Sequence, residues 1–170
     1  ELATPGWILE GRWIMKKKIG FVNFDMSTRG GAQQVLQNLS NVLAREDEEY
    51  EIYIISLIHE KSACAYPLEK GIHYENILPY KGRIRDVILK AGKKFRRFCC
   101  QEGIELLFYV GAYAGLCGGL LGRRLKIPKV FCDHGALLNQ WHEKPARIMR
   151  TIGSRYSTRT VVLTRQSEEA

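Results

Sequence analysis

Six short apolar runs alternate along this 170-residue chain with four stretches whose apolar residues recur at helical spacing. The runs are 18–24 (KIGFVNF), 50–57 (YEIYIISL), 72–77 (IHYENI), 106–110 (LLFYV), 129–132 (KVFC) and 160–164 (TVVLT). Most are nearly continuous rather than alternating, the pattern of strands covered on both faces. Between them, Ala32, Val35, Leu36, Leu39, Val42 and Leu43 step by three and four residues and predict one amphipathic stripe. Ile84, Val87, Ile88, Ala91, Phe95 and Phe98 predict a second helix. Tyr113, Leu116, Cys117, Leu120 and Leu121 predict a third, and Ala146, Ile148, Met149, Ile152 and Tyr156 a fourth.

Strands that alternate with helices build parallel βαβ units. The expected fold class is therefore α/β, a Rossmann-like open parallel sheet with helices on both faces. One domain is expected over 15–170, with no internal repeat. Residues 1–14 precede Met15 and three lysines, fit no cleavable signal, and are read as a vector-derived or otherwise extraneous leader. At the other end, Ser167, Glu168 and Glu169 suit a helix start just as the chain stops. A longer protein is expected.

Charge is concentrated. The net charge is +8, yet residues 81–97 hold eight cations against the single acid Asp86, and so carry +7 of it. The rest is near neutral and ordinary in composition, at 45% hydrophobic and 26% charged, which excludes a disordered or disulfide-dense chain. Five cysteines, none in a C-x-x-C pair, read as packing residues of a reducing, cytoplasmic compartment. No apolar run approaches the ~18–20 residues of a membrane span. No His, Cys, Asp and Glu grouping has metal-ligand spacing, so no metal is expected.

The segment 25–34 (DMSTRGGAQQ) joins the first strand to the first helix, where open α/β sheets place their ligands. Gly30 and Gly31 permit positive φ and close backbone approach, and the helix N-terminus behind them suits a phosphate or diphosphate. A turn made by two glycines with no ligand is the plainer alternative. The spacing is not G-x-G-x-x-G, and no acid ends the second strand, which disfavours a nicotinamide cofactor. The absence of G-K-[ST] excludes a P-loop. His134, in CDHG (132–135), follows the fifth strand at the same sheet edge, where its imidazole can hydrogen-bond a ligand. Glycines crowd 111–122 and point to close helix packing. Gly111 and Tyr113, at the strand-to-helix turn, are also candidates for the cleft lining, as is Asp133 beside His134.

GGAQQVLQNL (30–39) resembles the G-G-A-E-R-V-L-x-N-L segment of the family-four bacterial glycosyltransferases with the GT-B fold. Residues 112–130 (AYAGLCGGLLGRRLKIPKV) resemble that family's next helix and its GIP segment. Asp133–His134 stands at its x-H dipeptide, and TVVLT at the strand closing its N-terminal domain. The resemblance spans nearly all of 15–170. It implies an enzyme of two Rossmann-like halves, of which this chain matches the N-terminal, acceptor-side half. The C-terminal half, with most donor contacts and the paired glutamates, is not in this sequence, so the fragment alone is expected to be inactive. By the resemblance Gly30 and Gly31 approach the donor diphosphate, and His134 faces the transferred sugar as the catalytic residue. Gln33 replaces the family's usual glutamate and supplies no carboxylate. The donor would be a nucleotide diphosphate-sugar, with no further cofactor, and the acceptor a lipid-linked or cell-surface glycan.

The basic helix offers Arg83, Lys90, Lys93, Lys94, Arg96 and Arg97 to an anionic partner. A solvated back of a core helix is the ordinary meaning of such a pattern. An anionic membrane surface on the inner face of the plasma membrane is the preferred partner, at roughly 1 kcal/mol per cation. Nucleic acid is disfavoured, because no recognition signature or interleaved aromatics accompany the charges. Two other readings remain open: a stand-alone nucleotide- or phosphate-binding module of flavodoxin type, and a sugar-nucleotide epimerase of GT-B architecture.

Overall fold

The computed structural model describes residues 16–46, 49–59, 61, 63–78, 84–134 and 143–162. The leader 1–14, Arg83, Gly135, and the end of the last expected strand with the helix start after it lie outside the described residues.

Six strands, β1 (Lys17–Asp25), β2 (Tyr50–Ile58), β3 (His73–Leu78), β4 (Leu106–Val110), β5 (Lys129–Asp133) and β6 (Arg159–Val162), form one sheet in the order β3-β2-β1-β4-β5-β6. Every neighbouring pair is parallel. Among the described residues, four helices, α1 (Gly31–Glu46), α2 (Ile84–Glu102), α3 (Ala112–Gly122) and α4 (Lys144–Arg155), lie between the strands, and β3 follows β2 without one. The α/β expectation holds.

The apolar runs are continuous because the two faces feed two cores. In β2, Ile52 and Ile54 join Phe21, Met26 and Leu36 of α1 on one side. Tyr53, Ile55 and Leu57 join Val87, Ala91 and Phe95 of α2, and Cys117 and Leu121 of α3, on the other. Successive residues of a strand point to opposite faces, so a doubly covered strand must be apolar throughout.

The glycines of α3 let it sit directly on the sheet. A Cβ at Gly115 would overlap the Phe131 ring, and one at Gly118 would overlap the ring of Tyr109. Gly153 of α4 in turn lies against the Gly115 backbone, with 3.2 Å left for a Cβ. This close packing is the one the glycine spacing predicts.

Two helices bury only part of the expected stripe; Ala32, Leu36 and Leu43 of α1 and Ala146 of α4 do pack inward. Helix α1 buries Leu36, Gln37 and Ser40, while Val35, Leu39 and Val42 stay exposed. Gln37 turns inward because its amide donates to Pro67 O at 2.9 Å. Helix α4 buries Ala146, Arg150 and Gly153, and Ile148 and Tyr156 face outward. Its buried side is small residues plus one arginine, which an apolar count passes over.

Candidate active-site cleft

The chain moves outward from β1 to β2 and β3, then returns to β4 on the other side of β1. Loops diverge at such a reversal and leave a crevice beyond the carboxyl ends of the strands. A cleft of about 790 Å3 opens there, over the ends of β1, β4 and β5 and the first turns of α1, α3 and α4.

Asn23 ties the two strands that flank the reversal. Its amide donates to Val110 O of β4 at 3.2 Å, and its Oδ1 accepts from the Asp25 N–H at 3.0 Å. Asp25 continues the chain of contacts, with Oδ1 accepting from the Ser27 N–H (2.8 Å) and hydroxyl (2.7 Å). Gln33 reaches back from α1 and donates to Asp25 O at 3.1 Å and Thr28 Oγ1 at 3.4 Å. The β1–α1 loop is thus held by side chains at both ends.

Gly30 and Gly31 do different work from that expected of a glycine pair. The described glycines with positive φ are Gly71, Gly103 and Gly111, so neither loop glycine uses that freedom. Gly31 is the first residue of α1, and Gly30 O accepts the first helical bond, from Gln34 N–H at 3.0 Å. Gly31 lines the cleft, and a Cβ added to it would meet nothing within 4 Å. Its missing side chain leaves ligand space beside a helix N-terminus. Gly30 does not line the cleft; a Cβ there would press on Gln33 Oε1 at 2.6 Å.

Gly111 is the strained position. At φ +90° and ψ 159° it occupies a region that is essentially glycine-only. No side chain caps α3, whose first turn therefore faces the cleft with its N–H groups. Tyr113 follows, half exposed, with its ring 5.5 Å from that of Phe24. Together they make an apolar wall.

Asp133 and His134 close the opposite side. Asp133 is buried and ion-paired with Arg150 of α4 at 2.7 Å. His134, half-buried, lines the cleft immediately after it. Gly31, Gly111, Tyr113, Asp133 and His134 therefore share one cleft. Asn23, Asp25 and Arg150 join them without having been singled out in the sequence. Arg150 had a signal: an arginine three and four residues from Gly153 and Ala146, on the small-residue side of its helix. Among the described residues no group of three or more His, Cys, Asp and Glu could hold a metal ion.

The basic residues of α2 do not form one continuous face. Lys94 turns to β3, with Glu75 at 3.2 Å and Asn76 O at 2.8 Å. Lys90 lies 4.0 Å from Asp86. Lys93 and Arg96 instead line a groove against the end of α3. No described helix is long and apolar enough to cross a membrane.

The family model described as Glycosyltransferase Family 4 matches residues 29–170. A relative described as an uncharacterized glycosyltransferase of Haemophilus influenzae is 26% identical over 137 residues, or 81% of this chain and 36% of the relative. The chain thus spans about a third of that relative's length. Among solved structures, a sucrose-phosphate synthase of Thermosynechococcus elongatus matches with a TM-score of 0.66 at 11% identity, over 91% of this chain and 44% of that one. The UDP-GlcNAc 2-epimerase of Methanocaldococcus jannaschii matches at 0.65 and 16%, over 89% and 41%. A lipopolysaccharide outer core galactosyltransferase matches at 0.60 and 13%, over 84% and 38%. At these identities the likeness to solved structures is one of fold.

Proposed function

The chain belongs to glycosyltransferase family 4, and on that premise we propose that it forms the N-terminal, acceptor-side half of an enzyme that moves a sugar from a nucleotide diphosphate-sugar to a lipid-linked or cell-surface glycan. One observation carries the reading. The side-chain-free Gly31, at the N-terminus of α1, and His134, at the end of β5, open onto the same cleft at the strand-order reversal.

In this reading the donor diphosphate approaches α1 through the space left at Gly31. Backbone N–H groups of α1 and α3 oppose the negative charge that grows on the leaving diphosphate as the glycosidic bond breaks. His134 hydrogen-bonds the transferred sugar and fixes its orientation. Asp133 and Arg150 hold β5 and α4 together behind it. The acceptor lies along the Phe24–Tyr113 wall. The second half, with the remaining donor contacts, completes the site, and the reaction retains anomeric configuration without a metal. The enzyme works in the cytoplasm, peripheral to an anionic membrane that carries the acceptor, with Lys93 and Arg96 of α2 toward that surface.

The test is a panel of nucleotide diphosphate-sugars offered to the full-length protein with lipid-linked acceptors. Transfer with at least one donor is expected. His134→Ala should lower kcat by about 10²–10³-fold with the melting temperature unchanged, as for loss of one oriented polar group. Conversion of a donor to its epimer without any acceptor would overturn the transferase reading.

A further inference from the structure

A second concavity lies away from the cleft, between α2 and the end of α3, and shares no lining residue with it. Its volume is about 380 Å3. Lys93 and Arg96 enter it from α2, and Arg123 and Arg124 from the turn after α3. Among the described residues no Asp or Glu lines it. Four cations gathered without a counter-charge repel one another and favour an anionic occupant.

The groove is built rather than incidental. Arg96 is half-buried and donates to Leu121 O at 3.2 Å, which holds its guanidinium against the end of α3. Gly92 makes room for this: a Cβ there would come within 3.1 Å of Arg96 Nη1 and 3.3 Å of Leu121 Cδ2. The carbonyl end of α3 also favours cations.

Beside the cations stands Leu89, 73% exposed and the most exposed large apolar residue described. It occupies the same side of α2 as Lys93 and Arg96, at steps of four and three residues. A soluble anion gains nothing from an exposed leucine. A bilayer interface presents both complements, phosphate at the headgroup level and acyl chain just beneath it.

We propose that the α2–α3 groove is a headgroup pocket for anionic phospholipid. Arg96, Arg123, Arg124 and Lys93 take the phosphate, and Leu89 enters the acyl boundary. The pocket gathers Arg123 and Arg124, which lie outside the basic run of the sequence, and leaves out Lys94, which β3 engages.

The test is flotation of the full-length protein with phosphatidylcholine vesicles, with and without phosphatidylglycerol, at fixed ionic strength. Binding to the phosphatidylglycerol vesicles is expected. Arg123→Gln with Arg124→Gln should weaken it about thirtyfold, since each cation near the surface is worth about 1 kcal/mol. Arg147→Gln with Arg155→Gln, an equal charge loss on α4, should change it less than about threefold. Leu89→Ser should weaken it about tenfold at unchanged charge. All these residues are exposed, and unchanged melting temperatures verify the fold.

Equal loss in the two arginine pairs would mean diffuse charge attraction and overturn the pocket. Binding of Leu89→Ser at the wild-type level would overturn the bilayer as occupant. So would absence of vesicle binding together with saturable binding of inorganic phosphate that depends on Arg123 and Arg124. Flotation does not require turnover, so the outcome is independent of the transferase reading.

Discussion

Arg150 Nε stands 2.7 Å from Asp133 Oδ2, and their side chains are 8% and 5% exposed. The pair joins the end of β5 to the middle of α4, directly behind His134. Two charges buried together survive only by facing each other, so removing one strands the other. Asp133→Asn and Arg150→Met should each cost about 3–5 kcal/mol. The double variant should cost clearly less than their sum, because neither charge is then left alone. Urea denaturation of the full-length protein measures all three; strict additivity would refute the coupling.

Gly31 and Gly111 both line the cleft but should respond oppositely to alanine. Gly31 has no positive φ and open space at its Cβ position. Gly31→Ala should therefore keep or raise the melting temperature, by up to about 1 kcal/mol of added stability, while the methyl raises the donor KM. Gly111 sits at φ +90°. Gly111→Ala should cost about 1–3 kcal/mol and lower kcat by displacing the first turn of α3. Melting curves and steady-state kinetics on the two variants separate a ligand gap from a backbone constraint.

The architecture was legible because doubly covered strands leave an unmistakable trace: Ile52 and Ile54 serve one core and Tyr53, Ile55 and Leu57 the other. The α3 glycines were legible for a related reason, since only close approach to Phe131 and Tyr109 repays their helix cost. The helix faces were less so. Val35, Leu39 and Val42 of α1 are exposed while Gln37 and Ser40 are buried, because the amide of Gln37 finds a backbone partner inside. The burial of Arg150 is hidden from the pattern for the same reason, its charge being neutralised by a residue seventeen positions earlier. Periodicity registers apolar content; it does not register a polar group satisfied by a distant one. Of the glycine pair, Gly31 lines the cleft and Gly30 does not, and the positive φ expected of them belongs to Gly111 instead.

Gln33 donates to Asp25 O and Thr28 Oγ1, so its amide nitrogen faces two oxygen acceptors. A carboxylate would present lone pairs to the Asp25 carbonyl. Gln33→Glu should therefore loosen the β1–α1 loop, at a cost of about 1–3 kcal/mol for the unmet acceptor and the misplaced charge. Chemical denaturation reads the cost, and faster amide exchange at Ser27 and Thr28 would locate it in the loop. Unchanged stability and exchange would show that the loop does not depend on this amide.

Alkaline pH should weaken the fold through the buried thiols of Cys99 and Cys117 and the half-buried thiol of Cys132. Desolvation pushes Cys132 up to about 11 and Cys117 to about 12, from an ordinary 9.0. Burial, helped by the neighbouring Cys100, pushes Cys99 to about 12. Above pH 9 the unfolded chain loses these protons while the folded one keeps them, so the unfolded state binds fewer protons and stability falls as pH rises. The fall begins near 9 and continues through about 11 for Cys132 and about 12 for the other two. Tyr74, raised by burial from 10.0 to about 12, adds to it in the upper part of that range. Lys129 acts in the other direction. Its burial lowers its pKa from 10.5, so in that interval the unfolded chain binds the extra proton and stability rises with pH. One lysine against three thiols leaves a net decline. Urea midpoints measured across the alkaline range should drop with pH, and Cys99→Ala with Cys117→Ala and Cys132→Ala should flatten the slope, whatever the variant's stability at neutral pH. Exposed Cys100 should react promptly with a thiol reagent throughout, and buried Cys99 and Cys117 only as the fold opens. A slope unaffected by the triple substitution would assign the alkaline loss to other groups.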